Sequence, residues 1–247
     1  PLVETIKQLY GYSNTHVEVV KSDSEVFVRK YGDVNRNVNQ LVELTRNGLP
    51  CVEVINVTCD YYDMAYIPNL DVKTYLIHNP ANKLIEFLES CFDTLIRTST
   101  MFDYSEVYNN KLKDVCFDGL PFTRDELMRE LPKAVPRSLY HGDFTLDNIL
   151  YDINKKSFVL IDPLTTEYDS YAFDIAKLKQ DLTCKWFIRT SDVMLDSKLQ
   201  QISKRLSSYP YFNDHSLLVL MLLRVLPYAK NEFDKKYLID EMRKLWK

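Results

Sequence analysis

The sequence predicts an α+β chain in two parts, a small β-rich lobe over residues 1–67 and a larger helical lobe over 68–247. Three observations carry that expectation. Valines alternate with polar residues early in the chain, apolar residues recur at helical spacing later, and a short hairpin pattern is inset at 149–162. In the first part, "THVEVVKSDSEVFVRK" (15–30) reads as two strands joined by a polar turn at "KSDS". Residues 34–47 place Val38, Leu41, Val42 and Thr45 at helical spacing and run into Gly48, a suitable C-terminal cap. "PCVEVINVTCDYYDMAYI" (50–67) reads as two further strands, and the change in composition after "IPNLDV" sets the boundary near Pro68.

In the second part, residues 81–101 carry Leu84, Phe87, Leu88, Cys91 and Leu95 on one helical face. Further helices are expected near 123–131, 170–183, 195–207, 214–226 and 232–246. The apolar run "LLVLMLL" (217–223) falls short of the roughly 18–20 residues of a membrane span and reads as a buried helix.

Bulk properties narrow the function classes. The chain has 247 residues, 46% hydrophobic and 27% charged, which is ordinary for a globular protein with a full-sized core. Its net charge is −4, with 31 basic and 35 acidic residues intermixed, so no basic tract marks it for nucleic acid. Cys51, Cys59, Cys91, Cys116 and Cys184 are scattered without a CxxC pair or a metal spacing. They read as reduced, buried thiols of a cytoplasmic protein. The opening "PLVETIKQLYGYS" lacks the long apolar core of a signal peptide.

The chemistry concentrates in "LYHGDFTLDNILYDINKKSFVLIDPL" (139–164). The turn "DINKKS" closes a hairpin, which brings Asn148, just before the first strand, close to Asp162, just after the second. An amide oxygen and a carboxylate then converge where a hard cation such as Mg²⁺ can sit. Asp143, slightly upstream, is left as a base or orienting group for a hydroxyl. Phosphoryl transfer needs these parts: a cation to neutralise phosphate charge and a carboxylate to hold the nucleophile in line. A glycosidase would need two carboxylates flanking a sugar and would have no use for the amide. Turn capping explains any one of these residues, but not His141, Asp143, Asp147 and Asn148 within eight positions.

"HGDFTLDNIL" followed by "VLIDP" resembles the HGD-x4-N and ID motifs of the aminoglycoside phosphotransferase and choline kinase superfamily, small-molecule relatives of protein kinases. The resemblance implies a bilobal protein-kinase-like fold, ATP (or GTP) and Mg²⁺ as cofactors, and a small-molecule hydroxyl as acceptor. It implies that Asp143 is the catalytic aspartate facing that hydroxyl. Asn148 is then a catalytic-loop residue that also holds Mg²⁺ together with Asp162, and His141 and Gly142 shape the loop. "YDSYAFDIAKL" (168–178) resembles the family's "yDlA" segment, in which an aspartate, here Asp174, braces the catalytic loop from the start of a helix. Pro163 and Leu164 replace the Phe and Gly of the Asp-Phe-Gly of protein kinases, as is usual in the small-molecule branch.

The resemblance extends to the first lobe. "GYSNTHVEVV" (11–20) resembles the family's phosphate loop, with the backbone N–H groups of Ser13 and Asn14 approaching the phosphates. Lys30 ends a strand where the family keeps its phosphate-contacting lysine, and strand alternation turns only one of Arg29 and Lys30 inward. Glu43, the only acid between Val34 and Leu49, is the candidate for the helix glutamate that pairs with that lysine. In "YDMAYIPN" (62–69), Met64 is expected near the adenine, with the backbone of Ala65 and Ile67 reading its edge. The likeness covers most of residues 11–182 and is densest over 139–178.

Phe144 and Thr145 are expected at the acceptor, with Glu167 and Asp169 near the same mouth. Carboxylates and aromatic rings suit an ammonium group or a sugar. Sugars or glycan precursors, amino alcohols such as choline, and aminoglycosides are the candidate acceptors. A protein kinase is the first rival reading, opposed by the missing Asp-Phe-Gly and Ala-Pro-Glu. A non-catalytic kinase-like binding module is the second, opposed by the presence of Asp143, Asn148 and Asp162.

Overall fold

A computed structural model of the chain describes residues 3–9 and 15–247. The first elements are β1 (Val3–Leu9), β2 (Val17–Ser22), β3 (Glu25–Tyr31), α1 (Val34–Arg46), β4 (Val54–Val57), β5 (Tyr61–Ala65) and β6 (Asn69–Asp71). They are followed by α2 (Val72–His78), α3 (Asn82–Ile96), β7 (Ser99–Asp103), α4 (Ser105–Leu112), α5 (Arg124–Glu130) and β8 (Ala134–Ser138). The inset hairpin is β9 (Ile149–Asp152) and β10 (Ser157–Leu160). The chain ends with α6 (Tyr171–Leu182), α7 (Val193–Leu206), α8 (His215–Val225) and α9 (Glu232–Leu245).

Packing divides the chain into two compact units, Pro1–Tyr75 with Asp147–Thr165, and Leu76–Leu146 with Thr166–Lys247. The sequence reading divides it at 67/68 and leaves the hairpin in the helical part. The difference has a physical cause. Strand β6 pairs antiparallel with β9, Leu70 opposite Tyr151, which ties residues beyond Pro68 and the hairpin to each other. The Tyr75 ring then packs on Tyr151 and Phe158, with centroids 4.7 and 4.8 Å away.

In the first unit an antiparallel sheet runs in the order β1-β2-β3-β5-β4. Helix α1 covers its apolar face, and Val34, Leu41, Val52, Tyr62 and Met64 form the core there. The helix stops because Gly48 takes φ +87°, a conformation that costs glycine little. Its N–H donates to the Thr45 carbonyl and that of Leu49 to the Leu44 carbonyl, so the last carbonyls of the helix are satisfied. The hairpin pairs Ile149 with Leu160, and the Ile161 N–H extends the ladder to the Asn148 carbonyl at 2.9 Å. A parallel bridge between Cys51 and Leu160 joins the hairpin to the segment after α1.

The second unit is built around α6 and α8. Every residue of α6 is buried, and so is Ser216–Leu223 of α8. Phe173 meets Tyr104 edge-on at 5.0 Å and packs on Tyr168 at 4.8 Å. The helix expected over 81–101 ends at Ile96, because Ser99–Asp103 is taken up by an antiparallel ribbon with Ala134–Ser138. Helix α5 opens on a capping box between Thr123 and Glu126. Only Cys91 and Cys184 are buried among the free thiols; Cys59 and Cys116 are exposed, which corrects the expectation of buried cysteines. Among the described residues, no helix is long and apolar enough to cross a membrane.

Leu218 is fully buried at the centre of α8. Leu218→Ala is expected to lower stability by about 2–5 kcal/mol through lost burial and a residual cavity, read as a reduced urea midpoint with an unchanged slope.

Candidate active site

In the second unit the loop from His141 to Leu146 is held by one face of α6. Asp174, Lys177 and Asp181 lie three and four residues apart, so they share that face. Asp174 accepts the backbone N–H of His141 at 2.6 Å and of Gly142 at 2.9 Å. Asp181 accepts the N–H of Leu146 at 2.7 Å and of Phe187 at 3.1 Å. Between these anchors, Lys177 reaches the Asp143 carboxylate at 3.5 Å. Gly142 takes φ +91°, a backbone that suits glycine at this turn. The Asp143 N–H donates to His141 Nδ1 at 3.2 Å, which makes Nδ1 the lone-pair nitrogen of that ring.

The loop's side chains sort by depth. His141 and Phe144 are buried, Phe144 packing against Phe92 at 4.9 Å. Thr145 is buried as well, so Phe144 and Thr145 anchor the loop in the core. The Asp143 side chain keeps 36% exposure, the only partly open carboxylate of the three acids on and under this loop. The Asp174 brace matches the sequence expectation. Asp181 and Lys177 were missed, although polar residues at helical spacing in an otherwise apolar helix signal a buried polar contact.

Asp174 pays for its position in proton affinity. Burial pushes its carboxyl up from 3.8 to about 7, against the pull of the His141 and Gly142 N–H groups, and the nearby Asp143 charge adds to the rise.

In the first unit, Lys30 is turned inward and buried, and its ammonium pairs with Asp162 at 2.9 Å. Arg29 points to the opposite face of the strand and pairs with Asp63 at 2.8 Å. Asp162 directly follows the Ile161–Asn148 backbone contact, so the hairpin brings the two expected ligand positions to one end of the ribbon. Its φ of +51° lies in the left-handed region, where aspartate is among the better-tolerated side chains. Both positions offer hard oxygen donors, an amide and a carboxylate, which suit Mg²⁺. Among the described residues no three His, Cys, Asp or Glu side chains form a metal cluster. A cation held by two protein ligands and completed by phosphate oxygens and water needs none.

Glu43 is corrected. It is half exposed on the outer face of α1, 3.3 Å from Arg46, and does not reach Lys30. The inward face of α1 carries Asn37 and Gln40 instead, and the Asn37 amide donates to the Pro163 carbonyl at 2.7 Å. An elimination by residue type ignored which face of the helix Glu43 occupies. Met64 packs into the core of the unit; the Ala65 N–H donates to the Glu53 carbonyl, and the Ile67 carbonyl accepts from the Asn69 amide. Ser13 and Asn14 lie outside the described residues. Glu167 is exposed and pairs with Lys111 at 2.6 Å, while Asp169 pairs with Arg137 at 2.9 Å and with the Tyr104 hydroxyl at 2.8 Å.

The profile of the Phosphotransferase enzyme family matches residues 5–200. A comparison with curated proteins finds none that matches in sequence. Among solved structures, a thermostable mutant of aminoglycoside phosphotransferase APH(4)-Ia, in ternary complex with ADP and hygromycin B, is similar at TM-score 0.67 and 12% identity. The match covers 98% of this chain and 93% of that one. A putative fructosamine-3-kinase from Haemophilus somnus is similar at TM-score 0.63 and 11% identity, over 100% and 92% of the two chains. An ethanolamine kinase from Plasmodium vivax is similar at TM-score 0.53 and 15% identity, over 99% and 82%. The fold is the protein-kinase-like α+β fold of these proteins.

The raised Asp174 gives a signed pH dependence. Because its folded value of about 7 lies above the ordinary 3.8, the folded chain binds this proton more tightly across that window. The group's contribution to stability is therefore full below about pH 4 and is lost as pH rises through about 7. Asp174→Asn is expected to cost about 1–3 kcal/mol through a misdirected amide and to flatten this decline. Urea midpoints at about pH 5 and about pH 8, compared between wild type and variant, check the sign.

Proposed function

Because the chain belongs to the Phosphotransferase enzyme family, we propose that it is an ATP- and Mg²⁺-dependent kinase acting on a hydroxyl of a small neutral molecule, a sugar or glycan precursor. The observation that supports this best is the loop 141–146. Its backbone is pinned at both ends by buried aspartates, while the carboxylate between them stays accessible. Such a carboxylate is preorganised to receive a hydroxyl at little reorganisation cost.

In this reading Asp143 accepts a hydrogen bond from the acceptor hydroxyl and holds its oxygen in line with the γ-phosphorus. The acceptor O–P bond forms as the bond between the γ-phosphorus and the β,γ-bridging oxygen breaks. The electron pair leaves with ADP (or GDP, if GTP is the donor), and the hydroxyl proton passes to Asp143. Lys30 neutralises phosphate charge from β3. Asn148 and Asp162 would hold Mg²⁺, which when bound neutralises further phosphate charge. Ala65 and Ile67 contribute backbone, not side chains, to the adenine edge. The complex of APH(4)-Ia with ADP and hygromycin B supports the pairing of a nucleotide with a small molecule on this fold.

The state of the nearby acids favours a neutral acceptor. Glu167 and Asp169 each already pair with a cation, Lys111 and Arg137, which an ammonium acceptor would have to displace. The exposed free thiols of Cys59 and Cys116 accord with a reducing, cytoplasmic setting.

A panel of sugars, amino alcohols and aminoglycosides, assayed for ADP release from Mg²⁺-ATP, tests the reading; turnover is expected with neutral polyols. Asp143→Ala should lower kcat by about 10²–10⁴-fold with nucleotide affinity nearly intact. Asp162→Ala should weaken Mg²⁺-nucleotide binding as well. Undiminished turnover in the first variant, or transfer to a generic protein in place of the panel, would sink the assignment.

A further inference from the structure

Lys177 has no part in the mechanism above, yet its charged side chain is buried. Its ammonium meets Asp143 Oδ1 at 3.5 Å and Gln180 Oε1 at 3.3 Å. We propose that Lys177 is a positioning residue for phosphoryl transfer: from α6 it pairs with Asp143 and holds that carboxylate aimed at the acceptor hydroxyl. This rests on the reading of Asp143 as the acceptor-side carboxylate.

A merely structural role for the lysine fits poorly. The other two acids on its helix face are already served by backbone donors, Asp174 by His141 and Gly142, Asp181 by Leu146 and Phe187. Neither needs an ammonium to satisfy its oxygens. Burying a lysine costs several kcal/mol unless its partner repays it, and a methionine of similar length would fill the space without that cost. Burial accordingly lowers the affinity of Lys177 for its proton, while Asp143 acts in the opposite direction. What the lysine adds over an apolar side chain is a positive charge fixed beside Asp143. The wider field contains Asp174, Asp181 and Arg224. Against that field Lys177 sets its charge 3.5 Å from Asp143 Oδ1.

The arrangement is economical in geometry too. One face of one helix fixes the loop's entry, the functional side chain and the loop's exit, through positions 174, 177 and 181. Any displacement of α6 therefore moves backbone and carboxylate together.

A double-mutant cycle on the full chain tests the proposal. Turnover is read as ADP release from Mg²⁺-ATP, with water as the acceptor and with the best sugar of the panel. Lys177→Met is expected to lower kcat by about 10–100-fold while nucleotide affinity changes less than about twofold. In an Asp143→Asn background the same change should produce no further loss, because the group it acts through is gone. Lys177→Arg, which keeps the charge, should retain more turnover than the methionine variant. If Lys177→Met does not fold by thermal melting, Lys177→Gln passes through the same cycle. Wild-type kcat in the lysine variant, or an equal loss in both backgrounds, would overturn the proposal. Equal turnover by wild type and Asp143→Asn would instead overturn the role of Asp143, and this proposal with it.

Discussion

The second unit depends on a polar stripe buried where a helix of its composition would ordinarily be apolar. Helix α6 is enclosed on all sides, yet it carries Asp174, Lys177 and Asp181 along one line. Each carboxylate is expensive to bury alone and tolerable only because backbone N–H groups converge on it. The expense explains the rigidity: a loop whose amides satisfy two interior acids cannot drift without leaving those acids unsatisfied. Stability and site geometry are therefore the same set of hydrogen bonds. A better-packed, wholly apolar α6 would hold together as well and leave the loop untethered.

The first unit relies on register. Hairpin β9–β10 has four paired positions and a fifth backbone contact from Ile161 to Asn148. Because strand side chains alternate, a slip of one residue would send Asp162 to the opposite face and part it from Lys30. Three separate attachments oppose that slip: β6 on the free edge of β9, the bridge to Cys51 on β10, and the Tyr75 ring against Tyr151 and Phe158. The left-handed turn at Asp162 then ends the strand at the residue that carries the charge.

Much of this is legible in the sequence, for reasons that also explain the failures. Helices such as α7, α8 and α9 show their periodicity, and their observed N-caps, Asp192, Asp214 and Asn231, are residues that favour that position. The hairpin and its two ends follow from spacing alone. Short strands that exist only because a distant partner is present, β6 with β9 and β7 with β8, leave no local signal. Glu43 fails for a related reason. Residue type shows that an acid is present, but only the phase of the helix shows that Val34, Asn37, Leu41 and Leu44 point inward and Glu43 does not. Asp181 and Lys177 carry a readable pattern, a polar triad at helical spacing, whose meaning emerges once the loop it grips is in place.

The anchoring of the 141–146 loop through main-chain amides has a further consequence. The grip of Asp174 and Asp181 is indifferent to which side chains stand between the anchor points, but it counts residues: Leu146 sits four positions after Gly142 and must meet an acceptor two helical turns from the first. Inserting or deleting a single residue there would leave one clamp empty whatever its identity, whereas exchanging side chains would leave both closed. The loop behaves as a ruler, its length set by the pitch of the helix beneath it, and chemistry can be rewritten on it only one letter at a time.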